Sequence, residues 1–243
     1  MRPCLLLLAC LLPAAALAAS PSADEILRHM DDATSGYDDQ EMTVDLIIQA
    51  EDGASKTYGM TVWQKDRRRL VRFTSGENRG LATLIDGDRV YVYMPGFKKV
   101  RRVAQHNMSQ SFAGSDFSNE DMTRLRFADD FDVTLEREDA DAWVLRGTPR
   151  AGRDVSYASV LITVVKDGYY QRAVDYVDDS GVRVKEFRAE DLTAWPGGVK
   201  RFRTLTTRDP RTGHTTVMRL RSFEVNQGLD DDHFSKRSLM WGH

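Results

Sequence analysis

Beyond residue 10 the chain has no cysteine. The two that exist, Cys4 and Cys10, lie in one N-terminal apolar run, so the rest of the chain can form neither a disulfide nor a thiolate metal site. No later stretch approaches the ~20 apolar residues that a membrane-crossing helix needs. Strong charge of one sign is also missing: the formal net charge is -3, which argues against wholesale nucleic-acid binding. The sequence has no H-E-x-x-H, no G-x-S-x-G and no phosphate-binding loop. His29, His106, His214, His233 and His243 are scattered, and none has a partner at metal-ligand spacing. These absences leave no basis for a catalytic centre, a metal or a cofactor, and they direct attention to binding or transport.

The apolar run has a form of its own. Arg2, then Leu5 to Leu12, then Ala16-Leu17-Ala18 reads as a secretory signal spanning residues 1–19, with residues 20–243 as a single exported domain. A rival reading takes Leu7-Leu8-Ala9-Cys10 as a lipoprotein processing box, although it leaves few residues for the apolar region before Cys10. After the signal, Ser22 and Glu25 have the spacing of a capping box. Ile26, Leu27, Met30 and Ala33 follow on one helical face, and Gly36 ends the pattern.

From residue 42 the period changes to two. Val44, Leu46 and Ile48 share one side of a strand, Tyr58, Met60 and Val62 share a side of the next, and Val71 and Phe73 a side of the third. Turn signals separate such segments to the end of the chain, with Asp86-Gly87-Asp88 the clearest hairpin. Roughly eleven or twelve strands result at ~8–12-residue spacing, and few stretches could supply the crossover helices of a parallel sheet. The expected fold is mainly β: one large curved antiparallel sheet, a half-open barrel with short helices as lid or plug. So wide a sheet tends to curl or close. Its apolar face needs cover from the first helix, the tail around residues 229–235, and an insert at residues 109–125. Either the sheet splits into a sandwich, or a hollow remains that could take an apolar ligand.

The insert breaks the strand pattern. Phe112, Phe117 and Met122 stand among small and acidic residues, and Ser118 followed by Glu120 and Asp121 reads as a helix start. Apolar side chains left in water forfeit roughly 1.5–3 kcal/mol each, so the insert is expected to lie across the sheet, unless it is an ordinary connecting loop over a satellite core. Ser115 invites a nucleophile reading, but a polar turn explains it better without a positioned histidine. Asp116, Ser118 and Glu120 alternate like the start of a calcium loop, yet Asp121 stands where that loop needs glycine. Two basic clusters, Arg67 to Arg69 and Lys98, Lys99, Arg101 and Arg102, suit edge-strand protection or a dock for acidic head groups or an acidic partner.

Tyr91-Val92-Tyr93-Met94-Pro95, the segment from Lys99 to Val103, and above all Ser111-Phe112-Ala113-Gly114-Ser115-Asp116-Phe117-Ser118 resemble the outer membrane lipoprotein-sorting protein family, relatives of the periplasmic carrier LolA. The resemblance spans nearly all of the chain after the signal. It implies a half-open barrel closed by short helices over an apolar cavity for acyl chains, and a monomeric periplasmic carrier rather than an enzyme. It also implies cargo exchange with an inner-membrane exporter of the RND type. The namesake carrier has a cavity arginine linked to its lid, and no motif here assigns that residue. On this reading the candidate lining is Val44, Leu46, Ile48, Met60, Val62, Phe112, Phe117 and Met122. Lys98, Lys99, Arg101 and Arg102 are the candidates for head-group or partner contact. The alternative on the same scaffold is a regulatory module of the cell envelope that senses lipids or peptides.

Overall fold

The computed structural model describes residues 20–241. The segment read as a secretory signal, with Cys10, and His243 lie outside the described residues. The first helix, α1 (Ala23–Ser35), starts on the expected box: Ser22 Oγ accepts from the Glu25 N–H at 3.3 Å, and the Glu25 carboxylate accepts from the Ser22 N–H at 2.8 Å. Ile26, Leu27 and Met30 form its buried stripe, and the Gly36 N–H closes the helix on the Asp32 carbonyl. His29 is a packed helix residue, its ring 4.7 Å from that of Tyr169.

Six strands follow: β1 (Asp39–Gln49), β2 (Ser55–Lys65), β3 (Arg68–Phe73), β4 (Ala82–Asp86), β5 (Arg89–Met94) and β6 (Lys99–Arg102). The insert carries a one-turn helix, α2 (Asn119–Thr123). The second run is β7 (Phe131–Glu138), β8 (Ala142–Pro149), β9 (Ser159–Val165), β10 (Gln171–Val177), β11 (Arg183–Ala194), β12 (Lys200–Arg208) and β13 (Thr215–Val225). A 3-10 turn at Asp231–Phe234 and α3 (Lys236–Trp241) end the described chain. Thirteen strands form among the described residues, more than the turn spacing indicates, because even the four-residue β6 and the short apolar stretch Trp143–Leu145 within β8 pair fully. β11 runs seven residues past the apolar alternation that marks its start, held there by its pairing to β12.

All thirteen strands belong to one antiparallel, curved and unclosed sheet in the order β6-β5-β4-β3-β2-β1-β13-β12-β11-β10-β9-β8-β7. Two meanders are fused where β1 pairs with β13, with Leu46 opposite Met218 and Met42 opposite Phe223. That pairing decides the position of the insert. β6 and β7 become the two free edges, so residues 103–130 must cross from one edge of the sheet to the other. The insert crosses on the inner face, the face of α1, whose Asp31 accepts from the N–H groups of Phe127 and Ala128.

Strand alternation divides the packing. On β3, Val71 and Phe73 point inward while Leu70 points outward. The outer side of β3 and β4 is apolar as well, through Leu70, Ala82 and Leu84, and the C-terminal segment covers it with Phe234 and Leu239. The tail is thus no lid for the inner face: it seals the opposite one, tied by hydrogen bonds from Arg72 to the Ser238 and Leu239 carbonyls. Buried Asp39 turns the chain in that direction, its carboxylate accepting from the N–H groups of Gln227, Gly228 and Leu229 at 2.8–2.9 Å.

A plug between two cores

The inner face carries two packed cores. One joins the insert to β1–β5 and β13: Phe112 and Met122 are buried against Val44, Leu46, Met60, Val62, Val71 and Phe73, and the Phe112 ring stacks on Phe73 at 5.9 Å. The other joins α1 to β7–β10 through Ile26, Leu27 and Met30 against Phe131, Leu145, Ile162 and Val174. All eight proposed lining residues come together in the first core. Six are buried there, and Ile48 and Phe117 are partly buried at its margin. With the plug seated, that surface is filled by the protein's own side chains.

The conformation of the plug follows from its residues. Ala113 and Gly114 both take left-handed φ angles, 52° and 82°, reversing the chain so that Ser111 bridges to Ser118. Glycine adopts this conformation freely, whereas alanine gives up roughly 1–2 kcal/mol. Ser115 acts as a turn residue: its Oγ donates to the Phe112 carbonyl at 2.6 Å. Asp116 anchors the turn to β13, with His214 Nδ1 at 2.8 Å and Thr216 Oγ1 donating at 2.7 Å. Ser118 caps α2 in a reciprocal box with Asp121. Asp116, Ser118 and Glu120 are each engaged by protein groups and not arranged around one point as calcium ligands.

Beneath α2 lies a charge network that sequence spacing does not reveal. The Arg124 side chain is 3% exposed. It pairs with Glu120 at 2.6 Å and Asp130 at 3.0 Å, with Asp121 at 3.6 Å, and lies over the rings of Phe127 and Phe131. Burial works against the Arg124 charge, but Tyr176 and the three acids outweigh it and hold the pKa above the usual arginine value. Lys185, from β11, completes the network through Asp121 at 2.5 Å. Burial would raise the Asp121 pKa, yet Lys185 and Arg124 prevail and depress it. From the other half of the sheet, Arg69 of β3 donates to the Met122 carbonyl at 2.7 Å and to Gln64 Oε1. The plug is therefore bound to both halves of the sheet. Asp31 of α1 accepts from the N–H groups of Phe127 and Ala128 at 2.9 Å, and burial pushes its pKa up to about 6 against the pull of those bonds.

The first basic cluster is not edge protection, because β3 is an interior strand. Arg67 pairs with Asp129, Arg68 with Asp66 and Asp231, and Arg69 faces inward. The second cluster does lie on an edge. Lys98, Lys99, Arg101 and Arg102 are exposed on and beside β6, without an ion-pair partner among the described residues, next to Phe97, which is 71% exposed. Pro95 and the left-handed Lys98 shape that hairpin tip.

Open space on the inner face lies where the two cores meet. Phe187 of β11 packs with the α1 core and Leu205 of β12 with the plug core, leaving a seam along these two strands. A cleft of about 110 Å³ has walls of Tyr170, Gln171, Phe187, Phe202 and Leu205, with Arg201 beside them. A second, about 120 Å³, shares Gln171 and Phe187 with the first and adds Phe117, Phe127 and Tyr176. A third, about 340 Å³, shares Phe117 and Lys185 with the second and opens among Ser109, Ser111, Ser118, Ser156 and Arg211. The three follow one another along β11. Of the eight proposed lining residues, Phe117 alone lines this seam. Two further clefts beside the plug, about 170 and 240 Å³, are walled mainly by charged and polar groups such as Arg124, Asp130 and Arg153.

A family model whose description reads "-like: Uncharacterized protein" matches residues 65–241. Among solved structures, a DUF1329 family protein from Desulfovibrio piger superposes with a TM-score of 0.83 at 24% identity, covering 89% of this chain and 97% of that one. A LolA superfamily protein from Nitrosomonas europaea gives 0.75 at 25% identity, covering 90% of this chain and 99% of that one. The chain belongs to the family this model describes, and its fold is LolA-like. A Vibrio parahaemolyticus domain, titled for outer membrane lipoprotein sorting, has the same LolA-like fold, with a TM-score of 0.79 at 22% identity and coverage of 89% and 97%. No curated protein matches the sequence. Arg69 of β3 is a sheet arginine bonded to the plug through the Met122 carbonyl. Its sequence signal was its parity: it shares a strand side with Val71 and Phe73, a basic residue on an apolar face.

Proposed function

We propose that this chain is a periplasmic carrier of lipid or lipoprotein acyl chains, and not an enzyme, with the resting acyl site in the seam along β11 and β12. The observation that carries this reading is the line of clefts between two packed cores, walled by Phe117, Phe187, Phe202 and Leu205 and bordered by the plug. An acyl chain gains about 0.8 kcal/mol per buried CH₂, so a narrow apolar seam binds it without directional polar contacts. Lifting the plug would remove Phe112, Phe117 and Met122 from Val44, Leu46, Ile48, Met60 and Val62, and so open this first core to larger cargo such as the acyl chains of a lipoprotein. The bonds from Arg69, Lys185 and His214 set the cost of that motion. Lys98, Lys99, Arg101 and Arg102, exposed at the β6 edge with no ion-pair partner among the described residues, supply a face for acidic head groups or for an inner-membrane exporter of the RND type.

Native mass spectrometry of protein purified from the exported fraction tests the reading. The expected result is a fraction of molecules carrying one acyl-chain ligand, and uptake of a fluorescent fatty-acyl probe by the remainder. Protein that is always empty and takes up no probe would overturn it.

A further inference from the structure

The cations of the inner face fall into two groups. Arg124 and Lys185 each sit on carboxylates within the plug. Arg69 and Arg201 have no carboxylate partner among the described residues. Arg201 is partly buried, with its guanidinium 4.8 Å from the centre of the Phe223 ring. A guanidinium presents five N–H donors. Arg201 uses Nη1, donating to the Thr34 carbonyl at 2.9 Å and to Gln40 Oε1 at 3.4 Å. Nε and Nη2 make no hydrogen bond with the described residues. Burial pulls the pKa down to about 10, so the group is still charged at neutral pH, and its charge in turn disfavours that of Arg69. A partly buried guanidinium with no carboxylate partner and two donors free of protein acceptors offers an anion charge-assisted hydrogen bonds.

The position of this charge matters. Arg201 lines the first cleft of the seam together with Lys200, and the apolar path begins next to it at Phe202, Leu205 and Phe187. We infer that Arg201 is the head-group site of the seam, and that the preferred cargo is a single-chain amphiphile with an anionic head, a carboxylate or a phosphate monoester. This rests on the carrier reading and adds the chemical class of the cargo. The head accepts from the free Nε and Nη2 donors, and the tail runs past Leu205 and Phe187 toward Phe117. Ligand clefts usually measure about 300–1,000 Å³. The two narrow clefts, about 110 and 120 Å³, fall below that range and suit one chain rather than two.

The test is displacement of a neutral fluorescent acyl probe by dodecanoate, lauroyl lysophosphatidate and methyl dodecanoate, which share a tail length. With the wild-type protein, at least one of the two anions should bind about tenfold more tightly than the ester, as a charge-assisted hydrogen bond requires. The tighter of the two identifies the head. Arg201→Gln should bring that anion to the level of the ester, and Arg201→Lys should keep most of the preference, which separates lost charge from lost folding. Equal binding of anions and ester by the wild type would overturn the head-group site while leaving the carrier reading intact. So would a preference that survives Arg201→Gln. Failure of all three ligands and of the probe to bind would overturn both.

Discussion

Replacing Arg124 with methionine should destabilise the protein by roughly 3–5 kcal/mol, the cost of breaking a buried ion network from one side. The residue is almost wholly enclosed, and Glu120, Asp121 and Asp130 converge on it. Methionine fills much of the volume but leaves these acids with only Lys185 and Arg153 as counter-charges. For a chain of this size the loss corresponds to a fall of about 10 °C or more in Tm. Thermal unfolding followed by circular dichroism measures it. Adding Asp130→Asn should recover part of the loss, because it removes one of the stranded charges. A fall of less than 2 °C would mean that the network does not hold the plug.

The second large effect concerns cargo. Leu205→Trp places an indole in the first cleft of the seam, where Leu205 is only partly buried. Excluding about four methylenes of an acyl chain, at about 0.8 kcal/mol each, weakens binding by about 3 kcal/mol, or about a hundredfold. Leu205 is partly buried and lines the cleft, which has room for the added bulk, so Tm should change little. Leu135→Trp, at a position 45% exposed, is the control and should bind like the wild type. Fluorescent acyl-probe titration reads both variants. A Leu205→Trp protein that binds as the wild type does would place the acyl site elsewhere.

These two experiments fall on either side of what the sequence made legible. Period-2 alternation and turn chemistry were local, so the strands, the α1 capping box and the Ser118 helix start were all visible. The insert was legible as a plug because Phe112 and Met122 had to be covered. The pairing of β1 with β13 was not legible, since it joins residues 166 or more positions apart. Yet that pairing makes β6 and β7 the edges and sends the insert across the inner face. The site depended on the same long-range fact. Alternation grouped Val44, Leu46, Met60 and Val62 correctly, but it could not tell a packed face from an open one. Openness depends on which side chains the plug and α1 leave only partly covered, and those lie at Phe187, Leu205 and Arg201. No sequence pattern singles out Arg124 or Lys185; their role appears only when the fold brings Asp121 between them. The tail likewise read as cover for the inner face, because alternation alone did not show that Leu70 and Leu84 make the outer face apolar too.

The seam is the claim on which the cargo account depends, and locating a ligand in it tests that claim most directly. Crystals grown with 12-bromododecanoate would report the end of the tail by the anomalous signal of bromine. The account predicts a bromine site beside Phe187 or Phe117, with the carboxylate density on Arg201. A bromine site on the outer face, at the exposed Phe97 tip, or anywhere else outside the line of β11 and β12 would contradict it, as would a fully loaded protein in which the carboxylate lies away from Arg201.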